Sequence, residues 1–187
     1  MIQNNIREIL SKNPVVPVVT FYTLDEVEPV MNKLKAQGIN CIEITLRTDV
    51  AYDAIALAKK LTDSTFMVGM GTVINLDQIK KAQELRVDFM VSPGVSRSLS
   101  SALERSGIAF IPGVSTPSEV IKGINLGWNT LKFFPANIFG GVSAVKSYGQ
   151  VFPEVKFCPT GGISENNYKD YLELDNVICV GGSWLTK

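Results

Sequence analysis

Leu131-Lys132-Phe133-Phe134-Pro135-Ala136 decides how this chain is read. One lysine sits among apolar residues, and a proline follows at once. Side chains of a strand alternate between its two faces, so Thr130, Lys132 and Phe134 share one side while Leu131 and Phe133 share the other. Both sides are too apolar for a surface strand, which predicts a strand covered on both faces. A lysine there has to neutralise, pair with an anion or reach water, because burying a lone ammonium is too costly. Desolvation favours the uncharged amine, and an uncharged amine attacks carbonyls. The plainer alternative is a strand-end lysine with its ammonium in solvent, since lysines are mostly exposed.

The same unit repeats on either side of that stretch. Short apolar runs predict strands over 15–21, 39–47, 66–71, 88–92, 108–112, 130–134, 155–158 and 177–180. Helical spacing predicts helices over 2–12, 23–38, 50–61, 76–86, 97–106, 117–126, 141–149 and 165–173. Thr23 and Glu26 mark a capping start, and Gly38 a typical stop. Pro17 counts against a regular central position for the first strand. Alternating strand and helix units argue for a parallel sheet. Eight of them without a linker predict a closed (β/α)8 TIM barrel, one α/β domain over residues 1–187 with a short N-terminal helix. A doubly wound open sheet is the alternative. Beyond the eighth strand and its Gly181-Gly182 only residues 183–187 remain, so the closing C-terminal helix of such a barrel is absent from this sequence.

Composition narrows the chemistry. The 187 residues carry 18 basic and 18 acidic side chains and no block of like charge. That balance argues against a nucleic-acid or membrane-surface partner. The N-terminus lacks the apolar core of a signal peptide, and no run approaches the length of a membrane span, so a soluble, cytoplasmic protein is expected. Cys41, Cys158 and Cys179 are far apart in sequence, each in an apolar run, which fits buried thiols in a reducing compartment. The chain has no histidine. This removes the commonest general base and metal ligand, and with it the histidine-dependent serine and cysteine hydrolases. Proton transfer falls to carboxylates, lysine, tyrosine or water.

Candidate site residues come from the C-terminal ends of the strands, where barrels of this class carry function. In Ile39-Asn-Cys-Ile-Glu-Ile-Thr-Leu-Arg47, alternation sends Ile42, Ile44 and Leu46 toward the helices. It sends Cys41, Glu43, Thr45 and Arg47 inward. Charges facing a barrel interior are costly unless they serve a site. A purely structural ion pair of Glu43 with Arg47 or Lys132 is the bland alternative. Strand three ends in Gly69-Met-Gly71-Thr72, where two glycines let backbone approach a ligand and Thr72 offers a hydroxyl. The GxG there is neither a Walker loop nor a dinucleotide fingerprint. Pro93 closes strand four, a turn residue that can also line a pocket. Gly161-Gly162 and Gly181-Gly182-Ser183 follow the last two strands. Paired glycines in those loops suit an anion, and loops seven and eight are where barrels commonly hold phosphate. Two tight turns without a ligand would read the same way.

Taken together, these stretches resemble a known family. Ile42-Glu43-Ile-Thr45-Leu-Arg47-Thr48, Gly69-Met-Gly71-Thr72-Val73, Ser92-Pro93-Gly94, Lys132-Phe-Phe-Pro135-Ala136, Phe157-Cys158-Pro-Thr160-Gly161-Gly162-Ile163 and Gly181-Gly182-Ser183-Trp184 all recur in it. The chain is similar, from about residue 14 to its end, to the bacterial 2-dehydro-3-deoxy-phosphogluconate aldolases, whose members often also act on 4-hydroxy-2-oxoglutarate. The order of so many motifs is far more specific than any one of them.

That resemblance implies a class I aldolase on a (β/α)8 barrel. It works through a lysine Schiff base, without metal or other cofactor, usually as a homotrimer. It implies Lys132 as the Schiff-base lysine and Glu43 as the acid and base. Arg47 and Thr72 would hold the pyruvate carboxylate, Pro93 and Phe134 would line that pocket, and Gly161, Gly162, Gly182 and Ser183 would receive the phosphate of a phosphorylated 2-oxo acid. The implied reaction cleaves 2-dehydro-3-deoxy-6-phosphogluconate to pyruvate and glyceraldehyde 3-phosphate. A galactonate-type substrate is one alternative. A metal-free sugar-phosphate isomerase or epimerase barrel is another, and it needs no imine. A ligand-binding barrel without activity is a third, against which the inward Glu43 and Lys132 both weigh.

Overall fold

The computed structural model describes residues 2–186. In chain order its elements are α1 (Ile2–Ser11), β1 (Val15–Val19), a 3-10 turn at Leu24–Glu26 running into α2 (Val27–Ala36), β2 (Cys41–Thr45), α3 (Ala51–Lys60), β3 (Met67–Gly71), α4 (Leu76–Glu84), β4 (Phe89–Val91), α5 (Arg97–Arg105), β5 (Ala109–Ile111), β6 (Gly113–Val114), α6 (Pro117–Asn125), β7 (Thr130–Phe133), α7 (Gly141–Val151), β8 (Lys156–Pro159), α8 (Tyr168–Leu172) and β9 (Val180–Gly182). A 3-10 turn, Trp184–Thr186, follows β9.

Local chemistry sets the helix starts. The Thr23 and Tyr22 N–H groups donate to the Glu26 carboxylate, the reciprocal half of a capping box. Asn75 with Gln78 and Thr116 with Glu119 repeat the device at α4 and α6, and Pro117 occupies the first turn of α6. Ser96 caps α5 by accepting from the Leu99 N–H.

All paired strands are parallel, yet they do not join into one closed ladder. A six-stranded sheet runs β5-β4-β3-β2-β1-β9, and a separate three-stranded sheet runs β6-β7-β8. The α/β class and the N-terminal helix hold, but the closed (β/α)8 TIM barrel expected from the sequence is corrected to a curled parallel sheet facing a smaller one. Two features account for the seams. Pro112 has no N–H and splits the expected fifth strand, so that β5 pairs with β4 whereas β6 pairs with β7. On the other side, β8 and β9 meet only at isolated bridges, Phe157 to Val177 and Thr160 to Gly181. Pro17 also behaves differently from expectation, because β1 is an interior strand of its sheet. Val15, Val16 and Pro17 pair with β9, while Val18 and Val19 pair with β2. The residue without an N–H sits at the hand-over between the two neighbours.

Burial follows the alternation. Ile42, Ile44, Val68, Met70, Leu131, Phe133 and Phe157 belong to the large cluster under the helices. Val16, Cys41, Phe89, Val91, Ile111, Cys158 and Cys179 form a second cluster between the sheets, joined by Ile6 and Leu10 of α1. Burying those apolar faces is the main term favouring the fold, at about 25 cal/mol per Å2. The helix α1 stoppers the N-terminal end of that interior. The Gln3 side-chain amide donates to the Phe110 and Thr130 carbonyls and accepts from the Asn129 and Thr130 N–H groups. Arg7 donates to the Thr130 hydroxyl and the Asn129 carbonyl. The cleft lined by Val18, Val19, Thr160, Gly181 and Gly182 lies at the other end, where the strands finish. Among the described residues no helix is long and apolar enough to cross a membrane.

Candidate active site

Lys132 stands in the middle of the three-stranded sheet, in register with Gly113 on one side and Cys158 on the other. Glu43 stands in the six-stranded sheet between Val18 and Gly69. Alternation turns both side chains into the interior, where Lys132 Nζ donates to Glu43 Oε1 at 3.3 Å. Both are nearly sealed from solvent, with side chains 6% and 5% exposed. Two opposite charges removed from water together avoid the penalty that either would meet alone. The Phe134 ring lies 5.2 Å from Nζ and adds a cation–π contact.

Above this pair opens a cleft of about 580 Å3. That volume suits a small metabolite. Six of the residues expected from the sequence line it: Arg47, Phe134, Gly161, Gly162, Gly182 and Ser183. Glu43, Lys132, Thr72 and Pro93 are not among its lining residues. Phe134 connects the two groups, because its ring both walls the cleft and touches the lysine. Arg47 lies in the loop after β2, exposed, and forms no ion pair with a described residue. Its guanidinium is thus free to meet an anion. The Thr48 hydroxyl ties that loop to the Phe21 carbonyl at 2.7 Å.

The glycine loop after β8 reverses sharply. Gly161 has φ 99° and Gly162 φ 70°, a left-handed conformation that side chains resist. Asn167 braces the loop, accepting from the Ser164 N–H and donating to the Gly162 carbonyl. Thr72 has φ 64°, which a β-branched residue rarely adopts. Such outliers concentrate at functional sites. Pro93 is half-buried, with its carbonyl packed against Gly113.

Some neighbours were not singled out from the sequence. Thr20 and Thr160 line the cleft, and the Thr20 hydroxyl is 2.7 Å from that of buried Thr45. A polar residue on the inward face near a strand end is the signal that finds them. Beneath the ion pair, Cys41, Cys158 and Cys179 converge as free, buried thiols. Burial, reinforced by the nearby Cys158, pushes the Cys41 thiol up to about 12. Cys179 is raised too, by burial and by its hydrogen bond with Cys158. Among the described residues no group of three or more acidic or cysteine side chains is placed to hold a metal ion.

A buried lysine paired with a carboxylate, at the C-terminal mouth of parallel strands, defines an enzyme-like α/β site of the amine-nucleophile kind. Comparison with known proteins specifies it further. The family profile "Aldolase: KDPG and KHG aldolase" matches residues 6–187. The "KHG/KDPG aldolase" of Escherichia coli strain K12 is 44% identical over 184 residues, which cover 98% of this chain and 85% of that protein. Crystals of Legionella pneumophila KDPG aldolase, with pyruvate captured as a covalent carbinolamine intermediate, superpose with a TM-score of 0.92 at 43% identity, covering 95% of this chain and 86% of that one. The Zymomonas mobilis ZM4 aldolase with 3-phosphoglycerate superposes with a TM-score of 0.93 at 39% identity, covering 97% and 86%. This chain belongs to the KDPG and KHG aldolase family.

Proposed function

We propose that this protein is a class I aldolase (a carbon–carbon lyase) that cleaves 2-dehydro-3-deoxy-6-phosphogluconate to pyruvate and glyceraldehyde 3-phosphate through a Schiff base on Lys132. The observation that carries the reading is the buried Lys132–Glu43 contact of 3.3 Å beside an open cleft. Lys132 hands a proton to Glu43 across their contact, and the resulting uncharged amine attacks the C2 carbonyl of the substrate and forms a carbinolamine. Glu43 passes a proton to the departing hydroxyl, water leaves, and the iminium becomes an electron sink. Glu43, now a carboxylate, takes the C4 hydroxyl proton as the C3–C4 bond breaks, and the bonding pair moves into the iminium to leave an enamine. Protonation of the enamine at C3 and hydrolysis release pyruvate and restore the lysine.

The remaining residues divide the substrate between them. Arg47, unpaired in the cleft, pairs with the carboxylate, and Thr72 adds its hydroxyl. Pro93 and Phe134 enclose the pyruvyl end. Gly161, Gly162, Gly182 and Ser183 receive the phosphate at the far end of the cleft. The relative bearing 3-phosphoglycerate supports a phosphorylated three-carbon product in this family. The relative named for both activities supports 4-hydroxy-2-oxoglutarate, cleaved to pyruvate and glyoxylate, as a second substrate. A reducing cytoplasm suits three free buried thiols, and a homotrimer follows the resemblance. The exposed side chains of Tyr22, Ile74 and Ile138 are apolar surface that association can cover.

The test is pyruvate release, followed by a coupled assay, from the phosphogluconate, phosphogalactonate and hydroxyoxoglutarate substrates. Turnover of the first is expected to be the fastest. No pyruvate from any of the three would refute the assignment.

A further inference from the structure

Gly71, the last residue of β3, carries a role that its backbone does not demand. Unlike Gly161 and Gly162, it lies outside the left-handed region, so alanine fits its conformation. What an added methyl would not fit is the space. A Cβ at Gly71 would collide with Glu43 Oε1 and crowd the rest of that carboxyl group. Gly71 faces inward beside Thr45 in the β2–β3 register, two pairs further along than Glu43 and Gly69. The Glu43 carboxylate thus leans over Gly71 and fills the place where a side chain would be. It is from this position that Oε1 reaches Lys132 at 3.3 Å.

We infer that Gly71 is a positioning residue for the aldol chemistry: its missing side chain is the slot that holds the Glu43 carboxylate within reach of Lys132 and of the substrate's C4 hydroxyl. The inference rests on the Lys132–Glu43 reading above. A misplaced proton-transfer group is expensive, because about 1 Å of displacement costs on the order of 100-fold in rate. A methyl group in the slot forces a displacement on that scale. The only other inward glycine of β3, Gly69, faces a different neighbour, since a Cβ there would meet the Phe89 ring. The two glycines on one strand therefore make room for different things, an aromatic core residue at 69 and a functional carboxylate at 71.

The experiment compares wild type, Gly71→Ala, Glu43→Ala and the double variant. Gly71→Ala is expected to lower kcat by about 10- to 100-fold with KM changed less than about 3-fold, and to displace the pH profile of kcat. In the Glu43→Ala background, which has no carboxylate to displace, the same change is expected to alter the residual kcat by less than about 2-fold. A purely structural glycine would instead lower stability equally in both backgrounds and leave the pH profile in place. If Gly71→Ala does not fold, recovery of a folded, cooperatively melting protein in the double variant supports the inference, and failure to recover overturns it. A folded Gly71→Ala enzyme with unchanged kcat and pH profile overturns it as well. Borohydride trapping of wild type with pyruvate keeps the two claims apart. An adduct on Lys132 with an indifferent Gly71 refutes only this inference, whereas no adduct refutes the reading on which it stands.

Discussion

Lys132 and Glu43 belong to different sheets and are separated by 89 positions in sequence, yet Nζ and Oε1 lie 3.3 Å apart in the interior between those sheets. The contact is an ion pair that spans the two sheets above a layer of buried thiols. Neither group has another hydrogen-bonding side chain within reach among the described residues. Each is thus the other's counter-ion at rest, and each is released for chemistry when a carbonyl substrate takes the amine.

Glu43→Gln keeps the volume and loses the proton carrier. We expect kcat to fall by about 100- to 10,000-fold, the range attributed to general acid–base catalysis. Single-turnover trapping should place the loss in imine formation as well as in bond cleavage, with the far-UV spectrum unchanged. A variant with wild-type rates would remove Glu43 from the mechanism.

Arg47→Ala should raise KM for every 2-oxo acid substrate, because the carboxylate is common to all of them. A charged hydrogen bond of this kind contributes about 1.5–3 kcal/mol, or roughly 10- to 150-fold in affinity. Arg47→Lys should recover only part of it, since an ammonium lacks the planar fork. Steady-state kinetics on the three substrates decide the point, and an unchanged KM would show that the guanidinium contacts something else.

Gly162→Ala forces a side chain onto φ 70° and into the space of Asn137. The loop has to move, so the phosphorylated substrates should lose at least about 10-fold in kcat/KM, equivalent to roughly 1.4 kcal/mol. Cleavage of 4-hydroxy-2-oxoglutarate, which has no phosphate, should change far less. Equal losses on both kinds of substrate would take the phosphate away from this loop.

How much of this was legible beforehand depends on the range of the interactions. Alternation along Ile39–Arg47 sorted Cys41, Glu43 and Thr45 inward and Ile42 and Ile44 outward, as found, whereas Arg47, sorted inward by the same rule, lies beyond the strand end and is exposed. The capping box of Thr23 and Glu26 was visible as a three-residue spacing. Both signals are local. The break into two sheets was not visible, because a proline within an apolar run reads as a strand end, whereas Pro112 divides one run between two partners. The plugging contacts of Gln3 and Arg7 carry no signal in the helical spacing of residues 2–12, since their partners lie more than a hundred residues away. The convergence of Cys41, Cys158 and Cys179 was hidden for the same reason.

The thiol layer has a consequence at alkaline pH. Cys41 titrates at 9.0 when unperturbed and near about 12 in the fold. A folded-state value raised in this way contributes stability that is complete below pH 9.0 and is lost as pH rises toward 12, because only the unfolded chain ionises readily. Cys41→Ala should therefore show a shallower fall in Tm between pH 9 and pH 11 than wild type, by scanning calorimetry. Parallel curves would mean that Cys41 does not contribute to the alkaline limb.

The central claim is that Lys132 is the amine that binds the substrate covalently. Incubation of the protein with pyruvate and borohydride, followed by peptide mass analysis, tests it most directly. The account predicts loss of activity together with a reduced pyruvyl adduct on the peptide containing Lys132, and neither in Lys132→Ala. Full turnover with no adduct, or an adduct on a different lysine, would contradict it.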